Sequence, residues 1–247
     1  MKLNVLRGVV AASVVVLAAL PAAAQTGSDG WEFTIAPYLW AAGMDGSLTV
    51  ADIEAAVDVP FDTIMSNLDF AFMGHFDMQN ERWALSSDLI FVDLEDSEDV
   101  ALGTGTSSVE ETLLEVFGGY RVSPAVTLLV GARWVDLSSG LQYSGPVLQG
   151  SVDASKSWID PFVGAHVVAP LSQLWWLGVH GDVGGFGVGS ELAWQAYADI
   201  GWKASELVSV ILGYRVIDMD YEDGSGLEYF HYDLQIAGPQ LGVAFRF

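Results

Sequence analysis

Four histidines and 32 carboxylates are the groups in this 247-residue chain with the widest chemical reach. His75 with Asp77, and His180 with Asp182, are spaced two apart. On a strand that spacing puts both side chains on one face, where they could ligate a metal. His231 with Asp233 repeats the spacing and could act as an acid–base pair on a water. A hydrolytic site of that sort needs further aspartates converging on the same water. Ser86 or Ser209 could serve as a nucleophile beside a histidine, although no local signature marks either. Two acidic runs, Asp93, Glu95, Asp96, Glu98, Asp99 and Asp218, Asp220, Glu222, Asp223, offer oxygen ligands for Ca²⁺ or Mg²⁺. Neither run has the ordered spacing of a dedicated calcium loop, and solvated acidic stretches are the commoner explanation. No catalytic residue, metal ligand set or cofactor is assigned from these patterns, because pairs two apart arise by chance on any polar strand face.

The elements that would carry these groups are β-strands. In Leu68–Gln79, Leu68, Phe70, Phe72, Phe76 and Met78 point one way, while Asp69, Ala71, Met73, His75, Asp77 and Gln79 point the other. A turn at Asn80-Glu81 leads to Trp83, Leu85, Leu89 and Phe91 on one face, with Ser86 and Asp88 opposite. Such period-two patterning marks a half-buried strand. Ten segments follow suit, near 31–42, 68–79, 83–94, 107–121, 125–142, 152–169, 174–186, 191–203, 206–222 and 227–247. Short turns at 80–81, 122–124, 170–173 and 204–205 alternate with longer stretches at 43–67, 95–106, 139–150, 185–190 and 222–228. Segment 46–60 is itself β-like and is expected to extend the first hairpin. If it forms a separate pair the count is twelve, and eight is the other alternative. Asp62–Leu68 reads as a helical turn. Pro37 and Pro161 fall inside strands, where each removes a ladder hydrogen bond, so a bulge is expected at both. A parity change between Ile236 and Leu241 predicts a third bulge near Gly238-Pro239.

Composition says which face is buried. A mean hydropathy of +0.37 is high, yet after residue 24 no apolar run approaches the length of a spanning helix. An outward lipid-facing row on every strand produces that combination. Trp194 and Trp202 share a face eight residues apart, about 27 Å along a strand at ~3.4 Å per residue. A tilt of ~40° makes this roughly 21 Å of height, close to the ~25 Å apolar band between aromatic girdles. At the N-terminus Lys2 and Arg7 precede an apolar run, Val9–Leu20, then Pro21 and Ala22-Ala-Ala24. This is the pattern of a signal peptide cleaved after Ala24, leaving 25–247 as the barrel domain. No cysteine is present, so disulfides and thiolate metal sites are excluded. The net charge of −23 argues against nucleic acid or anionic headgroups as direct partners.

The carrying residues of a family resemblance are Trp31-Glu-Phe-Thr-Ile-Ala-Pro-Tyr-Leu-Trp40 with Gly43 and Gly46, and Leu68-Asp-Phe-Ala-Phe-Met-Gly-His75. Trp158-Ile-Asp-Pro-Phe-Val-Gly164 and the closing Gly238-Pro…Phe-Arg-Phe247 complete them. Over nearly all of the chain after the leader, the sequence resembles uncharacterised small outer-membrane β-barrel proteins of Gram-negative bacteria. The resemblance implies an all-β, up-and-down antiparallel transmembrane barrel in the cell outer membrane, and brings no substrate or catalytic residue. It also implies that Phe245 and Phe247, on the outward face of the last strand, form the signal read by the barrel-assembly machinery. Outer-membrane lipid and lipopolysaccharide are the expected partners, the latter bridged to acidic loops by divalent cations.

On that fold the inward face would carry Asp69, His75, Asp77, Asp88, Glu111, Glu115, Arg133, Asp160, His166, His180, Asp182, Asp199, Lys203 and Arg215. Val130-Gly-Ala-Arg-Trp-Val-Asp-Leu137 and Leu212-Gly-Tyr-Arg-Val-Ile-Asp-Met219 match in spacing, and Leu177-Gly-Val-His180 matches their first half. The echo puts Arg133, His180 and Arg215 at similar heights. A cation-selective pore and a closed, ion-paired lumen both fit. The closed lumen is preferred, because barrels of this size have room only for side chains or one small ligand. Each arginine then needs a carboxylate partner. An enzyme acting on lipid or peptide at the rim, and a surface protein binding cations or a ligand through acidic loops, are the rival functions.

Overall fold

The computed structural model describes residues 30–51, 53–100, 103–145 and 149–247, with 98–100 as backbone alone. The leader and its cleavage point lie outside them. In chain order the elements are β1 Glu32–Trp40, β2 Gly43–Val50, β3 Ile53–Val59, α1 Phe61–Ser66, β4 Leu68–Gln79, β5 Trp83–Val100 and β6 Gly103–Ser123. They continue with β7 Val126–Ser144, β8 Gln149–Pro170, β9 Trp175–Gly185, β10 Leu192–Lys203, β11 Val208–Asp223, a 3₁₀ turn Gly226–Glu228, and β12 Phe230–Arg246. β4 to β12 pair antiparallel in sequence order, β1 joins β4, and β1 pairs with β12 to close a barrel of ten strands. β2 and β3 form a hairpin on the upper part of β12. The pairings Trp40↔Gln240 and Gly43↔Ala237 belong to one register, so β1 and β2 run as a single long strand. The β-like segment therefore extends the first hairpin, and α1 is the helical turn that follows it.

The outward face is apolar or glycine along all of β9 and β10 but apolar over only part of the longer β11 and β12. On β11, Val210, Leu212, Tyr214 and Val216 form the outer row, which continues as Asp218, Asp220 and Glu222. Leu212 and Tyr214 are 54% exposed, whereas Ile217 and Met219, two and four residues beyond the inward Arg215, are fully buried. β12 does the same: Leu241, Val243 and Phe245 face out, while Phe230, Tyr232, Leu234 and Ile236 are buried inside. An apolar belt outside and polar groups inside is the arrangement of a membrane-spanning barrel. Above the belt the strands stand in water and the pattern inverts, with acids outside and apolar residues inside.

That inversion accounts for the apparent parity change in β12, and no bulge is present there. β11–β12 keeps one register from Val208↔Phe245 to Asp223↔Phe230. The prolines make no bulges either. Phe33 exchanges both backbone bonds with Phe247, so alternation aims the nitrogen of Pro37 at β12 as well. The β1–β12 ladder skips Ala36 and Pro37 without shifting register. Pro161 marks the top of the β8–β9 ladder, which begins at Phe162↔Gly184. In each case the missing N–H interrupts a ladder rather than bending the strand. The irregularities lie instead between Leu68 and Phe70, and between Arg121 and Ser123.

The acidic stretch at 95–106 and the Gly- and Ser-containing stretch at 139–150, which the sequence reads as outer loops, are largely strand. β5 pairs with β6 up to Val100↔Gly103, and β6 with β7 up to Thr104↔Ser144. Their Ser, Thr and Val content suits a two-sided wet ribbon. Inside the upper barrel, Trp40, Ile90, Leu113, Val135, Trp158, Ile217, Met219, Tyr221, Phe230, Tyr232, Leu234 and Ile236 pack as one core. Full burial stabilises by about 1.5–3 kcal/mol per large side chain. Because β9 and β10 turn back low, β8 meets β11 and β12 directly above them: Trp158 stacks on Tyr221 at 4.1 Å and 7°. This core caps the lumen. Gly46, at φ +143°, lets β2 approach β12, since a Cβ there would overlap the Asp233 carbonyl.

Candidate functional site: a charged belt and the cup beneath it

Strand alternation and register bring the inward ionisable groups to one level. Consecutive cross-strand partners run His75↔Asp88, Asp88↔Glu115, Glu115↔Arg133 and Arg133↔Asp160 across β4 to β8. On the opposite wall Tyr197 stands between His180 and Arg215. Arg133 is fully buried; its Nε donates to Glu115 Oε1 at 2.6 Å and its Nη2 to Asp182 Oδ1 at 3.0 Å. Arg215 Nη1 donates to Asp88 Oδ1 at 3.0 Å and to the Tyr38 hydroxyl at 3.1 Å, and its Nε to Gln195 Oε1 at 2.5 Å. The Tyr38 hydroxyl in turn donates to Asp88 Oδ1 at 2.7 Å. Gln195 Nε2 donates to Asp182 Oδ2 at 3.0 Å and reaches both Glu115 oxygens at 3.3 Å. His75 Nδ1 meets Asp88 Oδ2 at 3.2 Å, and His180 Nε2 meets Asp182 Oδ2 at 2.9 Å. Phe162 lies under the Arg133 guanidinium and Trp40 under that of Arg215, at 5.4 and 5.3 Å. Two buried cations are thus enclosed by three carboxylates and aromatic faces, the condition for burying guanidinium at all.

Asp160 does a separate job. Its oxygens accept from the Ser190 amide at 2.6 Å, the Ser190 hydroxyl at 2.8 Å and Trp158 Nε1 at 3.2 Å, pinning the β9–β10 turn to β8. Asp69 is not in the lumen: it sits at the Leu68/Phe70 irregularity and is exposed. His166 and Asp199 lie below the belt, in a cavity of about 510 Å³ at the end of the barrel that carries the short turns. The cavity's ceiling is the belt and its walls include Phe117, Leu129, Tyr197 and Trp176. The His166 ring stands 6.0 Å from His180 and 6.2 Å from Tyr197, and His180 stacks on Tyr197 at 4.5 Å.

The other chemical candidates are dispersed. His231 Nε2 bonds Asp220 at 2.9 Å on the outer wall, and Asp233 is exposed. The Ser86 hydroxyl donates to Asp77 at 2.6 Å rather than to a histidine. Among the described residues no three His, Asp or Glu side chains converge in an arrangement that could hold a metal ion. Tyr38, Gln195 and Tyr197 belong to the belt yet were not singled out from sequence. Parity signals Gln195 and Tyr197, which lie opposite Asp182, His180 and Arg215, whereas Tyr38 faces Gly242 across the ladder and nothing in the sequence signals it.

The closed ten-stranded wall, the apolar outer belt and the charged lumen define the class: an integral β-barrel membrane protein of the outer-membrane type. No family model matches the chain, and no curated protein does. Among solved structures it is similar to the outer membrane protease OmpT from Escherichia coli, at 7% identity and a TM-score of 0.49, covering 89% of this chain and 98% of that one. It is also similar to the translocator domain of the autotransporter NalP from Neisseria meningitidis, at 14% identity and 0.44, covering 88% of each chain. A third is Ail, the attachment invasion locus protein of Yersinia pestis, at 11% and 0.41, covering 89% and 99%. These are likenesses of general shape; the fold itself rests on the strand pairing.

Proposed function

We propose that the protein is an outer-membrane barrel with a plugged, non-conducting lumen, serving as a membrane-embedded scaffold rather than as a pore or an enzyme. The observation that carries this is the buried belt, in which Arg133 joins Glu115 on β6 to Asp182 on β9 and Arg215 on β11 reaches Asp88 on β5. A cation path would have to break that belt, and the apolar core above it offers no replacement ligands. Orientation follows from the even strand count: both termini and the short turns face the periplasm, and the acidic extensions face outside. Outward Asp218, Asp220 and Glu222 stand where divalent cations would bridge them to lipopolysaccharide phosphates. The exposure of Phe245 and Phe247, 40% and 44%, supports reading the last strand as the assembly signal. Planar-bilayer recording of the purified barrel tests the reading. Silence is the expected result, and stable cation-selective steps would overturn it.

A further inference from the structure

Asp199 is a lumen carboxylate whose surroundings the belt does not explain. It is only 9% exposed, lines the cavity, and has no hydrogen-bond or ion-pair partner among the described residues. Its carboxylate lies against Gly178, where an added Cβ would come within 2.6 Å of Oδ2, and its Cβ lies against Gly213. Two strands thus give up side chains where the carboxylate sits. Beside it the Tyr197 ring is stacked on His180 at 4.5 Å and has the Arg215 guanidinium 6.0 Å from its centroid, and Trp176 lies across Gly201. A buried carboxylate without a hydrogen-bond partner is costly, and a cation brought to it would remove that cost. The mouth of the same cavity carries the opposite charge. Arg121, held by Gln79 Oε1 at 2.6 Å, and Arg246, exposed on the closing strand, stand there.

The geometry points to a binding site, entered from the periplasmic end, for a compact zwitterion whose ammonium group meets Asp199 and whose anionic end meets Arg121 and Arg246. A volume of about 510 Å³ lies in the range of small-ligand pockets, roughly 300–1,000 Å³. The belt above does not compete for the ligand, because its carboxylates are already bonded.

Calorimetry in a non-ionic detergent with three probes of one carbon skeleton tests this. The expected order of affinity is 4-aminobutyrate, then butylammonium, with butyrate giving no heat. Asp199→Asn is expected to weaken both amines at least tenfold, and Arg246→Gln to bring 4-aminobutyrate down to the level of butylammonium. Gly178→Ala, which crowds the carboxylate, supplies a second variant should Asp199→Asn fail to show the heat-dependent gel shift of a folded barrel; it too is expected to weaken both amines. Absence of heat from all three probes overturns the site. So does butyrate binding as tightly as the amines, or amine binding that ignores the folded variant.

Discussion

Arg133 shows how much one residue can decide. Its guanidinium joins β6 to β9 through Glu115 and Asp182, so removing it takes the nearest guanidinium from two buried carboxylates and leaves Glu115 with Arg215 at 3.5 Å and Asp182 with His180. Arg133→Met is expected to destabilise the barrel by about 3–5 kcal/mol, read from urea unfolding in lipid vesicles. Adding Glu115→Gln is expected to recover part of the loss, since one buried negative charge then disappears. Glu111 behaves differently. It points inward just above the outer apolar row of β6, which begins at Leu114, and burial pushes its carboxyl up to about 7. The folded state therefore keeps this proton over a range where the unfolded chain has released it. Linkage then makes stability fall as pH rises from about 4.5 to about 7. Glu111→Gln is expected to flatten that decline and to be neutral at lower pH, measured by unfolding at stepped pH.

At the scale of elements, β12 carries the closure. It holds β11 on one edge and both β1 and β2 on the other. Phe247 exchanges backbone bonds with Phe33 at 3.2 and 2.8 Å, locking the last register position of that seam. Deleting Phe247 is expected to lower the fraction of chain that reaches the heat-modifiable barrel during assembly, while barrels that do close keep their lumen contacts. Comparing folded fraction with the stability of the folded pool separates the two effects. The seam is already thinned by Pro37 and Pro239, which face each other's strand without an N–H to give.

The whole molecule is two barrels in one wall. Inside the lipid it is polar within and apolar without; above the lipid it is apolar within and acidic without. There are two plugs, the ion-paired belt below and the Trp158–Tyr221 core above, and they touch at Trp40, which packs in the core and covers the Arg215 guanidinium. Trp158→Ala is expected to cost about 3–5 kcal/mol and to loosen the upper ribbon, yet to leave bilayer recordings silent because the belt still seals the lumen. Conductance in that variant would place the seal in the upper core instead.

Alternation of side chains leaves eight, ten and twelve strands all open, a choice settled only by the pairing of β1 with β12. Read along the chain, it determined where the barrel strands lie and which residues share a row with Arg133 and Arg215. These are legible because a strand's two faces are set by immediate neighbours and by whether one face meets lipid. Parity alone carries no sign, however. Ile236 and Leu241 sit on opposite rows of one unbroken strand, and only its height relative to the lipid says which row is buried. The same limit hid the paired extensions of β5 to β8, and left Asp69 assigned to a lumen that a local irregularity takes it out of. Closure decided the rest: that Arg133 meets Asp182 from β9, that Arg215 meets Tyr38 from β1, and that Asp199 finds no hydrogen-bond partner among the described residues. Those contacts depend on the stagger between strands far apart in sequence, and stagger is a property of the closed ring.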